Sequence, residues 1–134
     1  MAGLQEEISM LSNTLLKATP KLAFWVAIVV VLAIAYLSLM PSEELPSPRL
    51  NDKLNHVIAY GVLAVLATIG RKSVAIIPVL GGVIVYGFLI EGLQGVMGLG
   101  RSASWLDGLA NTVGALAGVG LGLWLGRWLG SRNG

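Results

Sequence analysis

Cysteine is absent from the chain, which excludes a disulfide framework, a Cys-ligated zinc or iron–sulfur site and a thiol nucleophile. Charge is scarce: 12% of the 134 residues are Asp, Glu, Lys or Arg, where a soluble domain carries about 25%. That leaves too little polar surface to cover a small globule. It also excludes a disordered chain, which needs high charge and low hydrophobicity. The net charge is +2, too small an excess for nucleic-acid binding through phosphate neutralisation. What the chain has is apolar residues, 55% of the total, with a mean hydropathy of +0.79. This is the composition of a small integral membrane protein.

A helix needs about 20 mainly apolar residues to cross roughly 30 Å of hydrocarbon. Four segments qualify, at about 22–40, 54–70, 74–98 and 106–129. The first is free of charge and stops at Pro41. Ala33, Ile34 and Ala35 resemble a signal cleavage motif, but the apolar run is long for a signal peptide. Pro78 falls in the third segment, where membrane helices tolerate proline. The runs are too long for strands, do not alternate and are rich in Gly and Ala. The expected fold is therefore all-α: residues 21–130 form a bundle of four transmembrane helices. Residues 1–20 form a separate cytoplasmic or interfacial segment, and residues 131–134 a disordered tail. In the N-terminal segment Leu4, Ile8, Leu11 and Leu15 recur at helical spacing, as in a short amphipathic helix on a membrane surface; a frayed tail is the alternative.

Lys and Arg near the span ends set orientation. Lys17, Lys21, Arg71, Lys72, Arg127 and Arg132 fall on one side. Arg49, Lys53 and Arg101 fall on the other. The bias places both termini in the cytoplasm and the loops at 41–53 and 99–105 outside. Trp25, Trp105, Trp124 and Trp128 lie near span ends and read as interfacial anchors.

Hydrophobicity does not press helices together in lipid; close backbone approach and interhelical hydrogen bonds do. Gly114, Gly118, Gly122, Gly126 and Gly130 recur at every fourth position of the last span and predict a packing seam. Its partner is another span or a second protein chain. The third span, with Gly81, Gly82, Gly87, Gly92, Gly95 and Gly98, is the expected neighbour.

The polar residues converge at the outer end. Asp52, His56 and Tyr60 are spaced i, i+4, i+8 on one face of the second helix. Glu91 and Gln94 lie near the outer end of the third. Asp107 and Asn111 start the fourth, and Arg101 precedes it with Ser102, Ala103 and Ser104. Duller roles exist: helix caps for Asp52 and Asp107, a boundary charge for Lys53, an interfacial ring for Tyr60, an interhelical bond for Asn111. Glu91, His56 and Arg101 resist that reading, because an intramembrane acid and the only histidine converge on one face of the membrane. The expected ligand-binding set is Asp52, Lys53, His56, Tyr60, Glu91, Gln94, Arg101, Asp107 and Asn111. Glu91 and His56 are the candidates for acid and base. No hydrolase or zinc-protease motif is present. His56 with Asp52, Glu91 or Asp107 offers a metal one histidine among oxygen ligands, a weak signal for zinc, so neither metal nor cofactor is expected.

Together Asp52-Lys53-x-x-His56-x-x-x-Tyr60, Glu91-x-x-Gln94 and Gly100-Arg101-x-x-x-x-x-Asp107-x-x-x-Asn111-x-x-Gly114 resemble the pattern of the VanZ-like family, over about residues 50–125. Asn55 departs from it, standing where an apolar residue is expected. The resemblance implies a four-helix domain in the bacterial cytoplasmic membrane. The family's namesake is associated with resistance to the glycopeptide antibiotic teicoplanin. The functions in view are binding of an amphipathic envelope molecule (a lipid headgroup, a lipid-linked cell-wall intermediate or a lipoglycopeptide), chemistry on such a molecule, and assembly with another membrane protein or a second copy.

Overall fold

The computed structural model describes residues 2–41, 52–69, 76–98, 100 and 102–131, except for the side chains of residues 2, 12, 13, 15–17, 130 and 131. Among these residues there are four helices and no strand: α1 (Ala2–Leu39), α2 (Asp52–Ile69), α3 (Ile76–Met97) and α4 (Trp105–Ser131). Each contains a stretch long and apolar enough to cross a membrane. This is the architecture of a multi-pass membrane protein. Arg49, Arg71, Lys72, Arg101, Arg132 and most of the tail lie outside the described residues.

α1 is a single helix of 38 residues, about 57 Å at 1.5 Å per residue. The amphipathic segment and the first span are thus continuous. Pro20 lies at the junction, where its missing N–H leaves the carbonyl of residue 16 without a helix bond. Leu4, Ile8 and Leu11 are exposed. Pro78 stands in the first turn of α3, where an N–H has no intrahelical partner to lose. α3 ends at Met97 with Gly98 at φ 62°, the left-handed cap that glycine adopts without penalty.

The interior is small and tightly packed rather than greasy. Ala27, Ile34, Tyr60, Leu63, Ala64, Val83, Ala115 and Val119 form its core. The large apolar side chains mostly face outward, among them Leu22, Val29, Leu32, Ile77, Leu89, Leu116 and all four Trp residues. In water this would be unstable; in hydrocarbon an exposed Leu costs nothing.

The glycine series finds its partner inside the chain, and that partner is α2 rather than α3. A methyl group on Gly114 would run into the Val57 carbonyl, and one on Gly118 into the Gly61 carbonyl. One on Gly122 would come within 2.8 Å of Thr68 Cβ. α2 can approach because it answers with Gly61 and Ala64 at the same heights. Thr68 donates its hydroxyl to the Ala64 carbonyl of its own helix at 2.7 Å, so this polar group of the seam is satisfied. One turn past Gly122, where α2 has ended at Ile69, a methyl on Gly126 would have nothing within 4 Å. The glycines of α3 are mostly open as well, with Gly81, Gly82 and Gly92 facing no neighbour.

α1 is tied to α3 by two long side chains that donate to its backbone. Tyr86 Oη bonds the Val31 carbonyl at 2.6 Å and Gln94 Nε2 bonds the Ser38 carbonyl at 2.8 Å.

Candidate functional site

α1 and α3 finish, and α2 and α4 begin, at the same end of the bundle. Residues spaced i, i+4 on α2 and on α4 therefore meet there. His56 is buried, and its Nδ1 lies 2.9 Å from Asn111 Oδ1. With Asn111 Oδ1 as the acceptor, His56 donates from Nδ1, and its other ring nitrogen is Nε2. That Nε2 lies 3.9 Å from Asp52 Oδ1, one helical turn earlier. Tyr60, one turn deeper, stacks beneath the imidazole with ring centroids 6.4 Å apart.

Glu91 of α3 approaches from the other side. It is only 4% exposed. Its Oε2 accepts the Ser104 N–H at 3.2 Å, and its Oε1 stands 3.9 Å from His56 Nδ1. This contact explains the start of α4. Ser104 is the helix cap: its Oγ accepts the Asp107 N–H at 3.3 Å, and its carbonyl accepts the Asp107 and Gly108 N–H groups, both at 3.1 Å. Ser104 and Asp107 stand three apart, the spacing of a capping box, in which the second residue normally reaches back to the first residue's N–H. Glu91 takes that N–H instead. The Asp107 carboxylate, itself buried, is left to Lys53, whose Nζ meets it at 3.3 Å.

The structure thus gathers Asp52, Lys53, His56, Tyr60, Glu91, Asp107 and Asn111 into one cluster. Gln94 is directed to α1 through Ser38, and Arg101 lies outside the described residues. The expected capping role for Asp107 falls to Ser104. Ser104 carried a readable signal in its spacing to Asp107. Gly87 carried none: it leaves the room that Asn111 and Tyr60 fill, since a methyl there would lie 3.0 Å from Asn111 Nδ2 and 3.1 Å from Tyr60 Cε1.

Three polar atoms of the cluster are buried with no hydrogen-bond partner among the described residues: Tyr60 Oη, Glu91 Oε1 and Asn111 Nδ2. Each such group costs about 1–3 kcal/mol, and more when charged. They come from three helices around one histidine. They offer a donor or acceptor hydroxyl, an acceptor and a donor, a set that a polar molecule or ordered water satisfies. Glu91 and His56 are also close enough to exchange a proton through a small shift or a bridging group. Comparison of the chain with family models, with curated proteins and with solved structures finds no match, so its function rests on the residues just described.

Proposed function

We propose that this is a VanZ-like membrane protein of the bacterial cytoplasmic membrane, with both termini cytoplasmic. Its polar cluster binds the head of an amphipathic envelope molecule at the extracytoplasmic side. The molecule is a lipid headgroup, a lipid-linked cell-wall intermediate or a lipoglycopeptide, and in the last case binding contributes to teicoplanin resistance. The observation that carries this reading is the trio of buried atoms on Tyr60, Glu91 and Asn111 that have no hydrogen-bond partner among the described residues. A purely structural polar cluster would have closed on itself; this one keeps hydrogen-bonding capacity in reserve. An apolar outer surface beside it suits an acyl tail, and Arg101 in the α3–α4 connection is placed by sequence to pair with phosphate or carboxylate.

Native mass spectrometry of the gently extracted protein tests this. A copurifying lipid or cell-wall intermediate that is lost in Arg101→Ala and Glu91→Gln supports it. Protein that is folded and retains no such molecule overturns it.

A second reading is an enzyme acting on the same class of molecule. It is favoured by the 3.9 Å approach of Glu91 Oε1 to His56 Nδ1, which makes these two the acid and base. Turnover of the copurified molecule by wild-type protein, lost in His56→Gln, separates the two.

A further inference from the structure

We propose that Asp52, His56 and Asp107 form a binding site for a divalent metal ion of the Zn²⁺ type at the mouth of the cluster. One donor atom from each of the three lies within 4.8 Å of the others. Two donors bound tetrahedrally to one ion at about 2.1 Å are about 3.4 Å apart. The set therefore closes by at most about 1.4 Å, within reach of a carboxylate rotation. His56 Nε2 and Asp52 Oδ1, at 3.9 Å, have about 0.5 Å to go by the same measure.

The ring is already held as a metal ligand is held. Metal-binding histidines donate their other ring N–H to a fixed acceptor, which orients the ligating nitrogen. Asn111 Oδ1 is that acceptor, 2.9 Å from Nδ1. The capping arrangement serves the same end, because Glu91 takes the Ser104 N–H and frees the Asp107 carboxylate.

The sign of the charge is compatible with a cation. The described cluster holds three carboxyl groups, Asp52, Glu91 and Asp107, against one lysine. Glu91 Oε1, on the Nδ1 side of the imidazole, is buried with no hydrogen-bond partner among the described residues and adds negative charge behind the ring. Lys53 Nζ now lies 3.3 Å from Asp107 Oδ1, as a tethered cation on one of the ligands. Its side chain is half exposed, so it can swing away into the headgroup layer and yield its place. A nitrogen ligand among oxygens favours Zn²⁺ over Mg²⁺ or Ca²⁺. The ion site stands whether or not an amphipathic molecule binds nearby.

The test uses untagged, detergent-solubilised full-length protein, stripped with chelator and titrated calorimetrically with Zn²⁺ and, separately, Mg²⁺. One Zn²⁺ per chain is expected, with Mg²⁺ much weaker. Asn111→Ala, which removes the orienting bond and leaves the three proposed ligands in place, weakens Zn²⁺ binding by about 10- to 100-fold. His56→Gln and Asp107→Asn weaken it further. Lys53→Met acts in the opposite sense and tightens it by about tenfold, the effect of removing one like charge near the ion. Because that variant gains function, a folding defect does not imitate it. No saturable Zn²⁺ uptake by folded wild type and Lys53→Met overturns the proposal, as does uptake that His56→Gln and Asp107→Asn leave unchanged.

Discussion

His56 and Asn111 are joined at 2.9 Å across the α2–α4 interface, and glycine sets the gap they span. The residue after His56 is Val57, whose carbonyl lies against Gly114, three residues past Asn111. The backbone contact and the side-chain bond are one turn apart on the same pair of helices. The approach that glycine permits is the one the short polar pair requires.

Widening that gap should therefore damage the site and the fold together. Gly114→Ala and Gly118→Ala place a methyl against a backbone carbonyl that has nowhere to go. Each should cost about 1–3 kcal/mol. Gly126→Ala, with open space beside it, should leave stability unchanged. Thermal unfolding of the three variants in one detergent checks the contrast; equal loss in all of them would contradict the seam as described.

Glu91 should separate charge from shape. Glu91→Gln keeps an oxygen for the Ser104 N–H, so the protein should accumulate in the membrane at normal levels while losing any bound molecule. Glu91→Leu removes the acceptor from a buried N–H and should lower stability by about 1–3 kcal/mol. Immunoblots of membrane fractions and mass spectra of copurified lipid report the two effects.

The attachment of α1 should depend on two hydrogen bonds to its carbonyls. Tyr86→Phe and Gln94→Leu remove the donors to Val31 and Ser38, at about 1 kcal/mol each. The double variant should show raised hydrogen exchange in α1 near these carbonyls, with the α2–α4 seam unaffected.

Orientation can be read directly, because the chain has no cysteine of its own. Ser47→Cys should react with a membrane-impermeant maleimide in intact cells. Asn133→Cys should react only after permeabilisation. The reverse pattern would invert the proposed topology.

The number and type of elements were legible because a membrane helix announces itself by length and apolarity alone. The polar cluster was legible because i, i+4 spacing is a property of the helix, and oppositely running spans bring their ends together. The partner of Gly114 and Gly118 was not. Counting glycines favoured α3, whereas the close approach depends on where Gly61 and Ala64 fall on α2, a matter of register that no single helix encodes. The role of Glu91 at the start of α4 was hidden for the same reason. It caps a helix that begins 14 residues later, and only the meeting of α3 with α4 makes that contact. Gln94 shared the spacing of the site residues, yet its amide serves the end of α1.

The glycine seam divides the bundle mechanically. With carbonyls wedged against glycine, α2 and α4 behave as one rigid spine carrying His56, Asn111 and Asp107. The side chains that bind α1 to α3 are longer and more easily re-posed. Any guest too large for the cluster should thus make room by swinging α1 and α3 aside like a door, while the spine keeps its spacing.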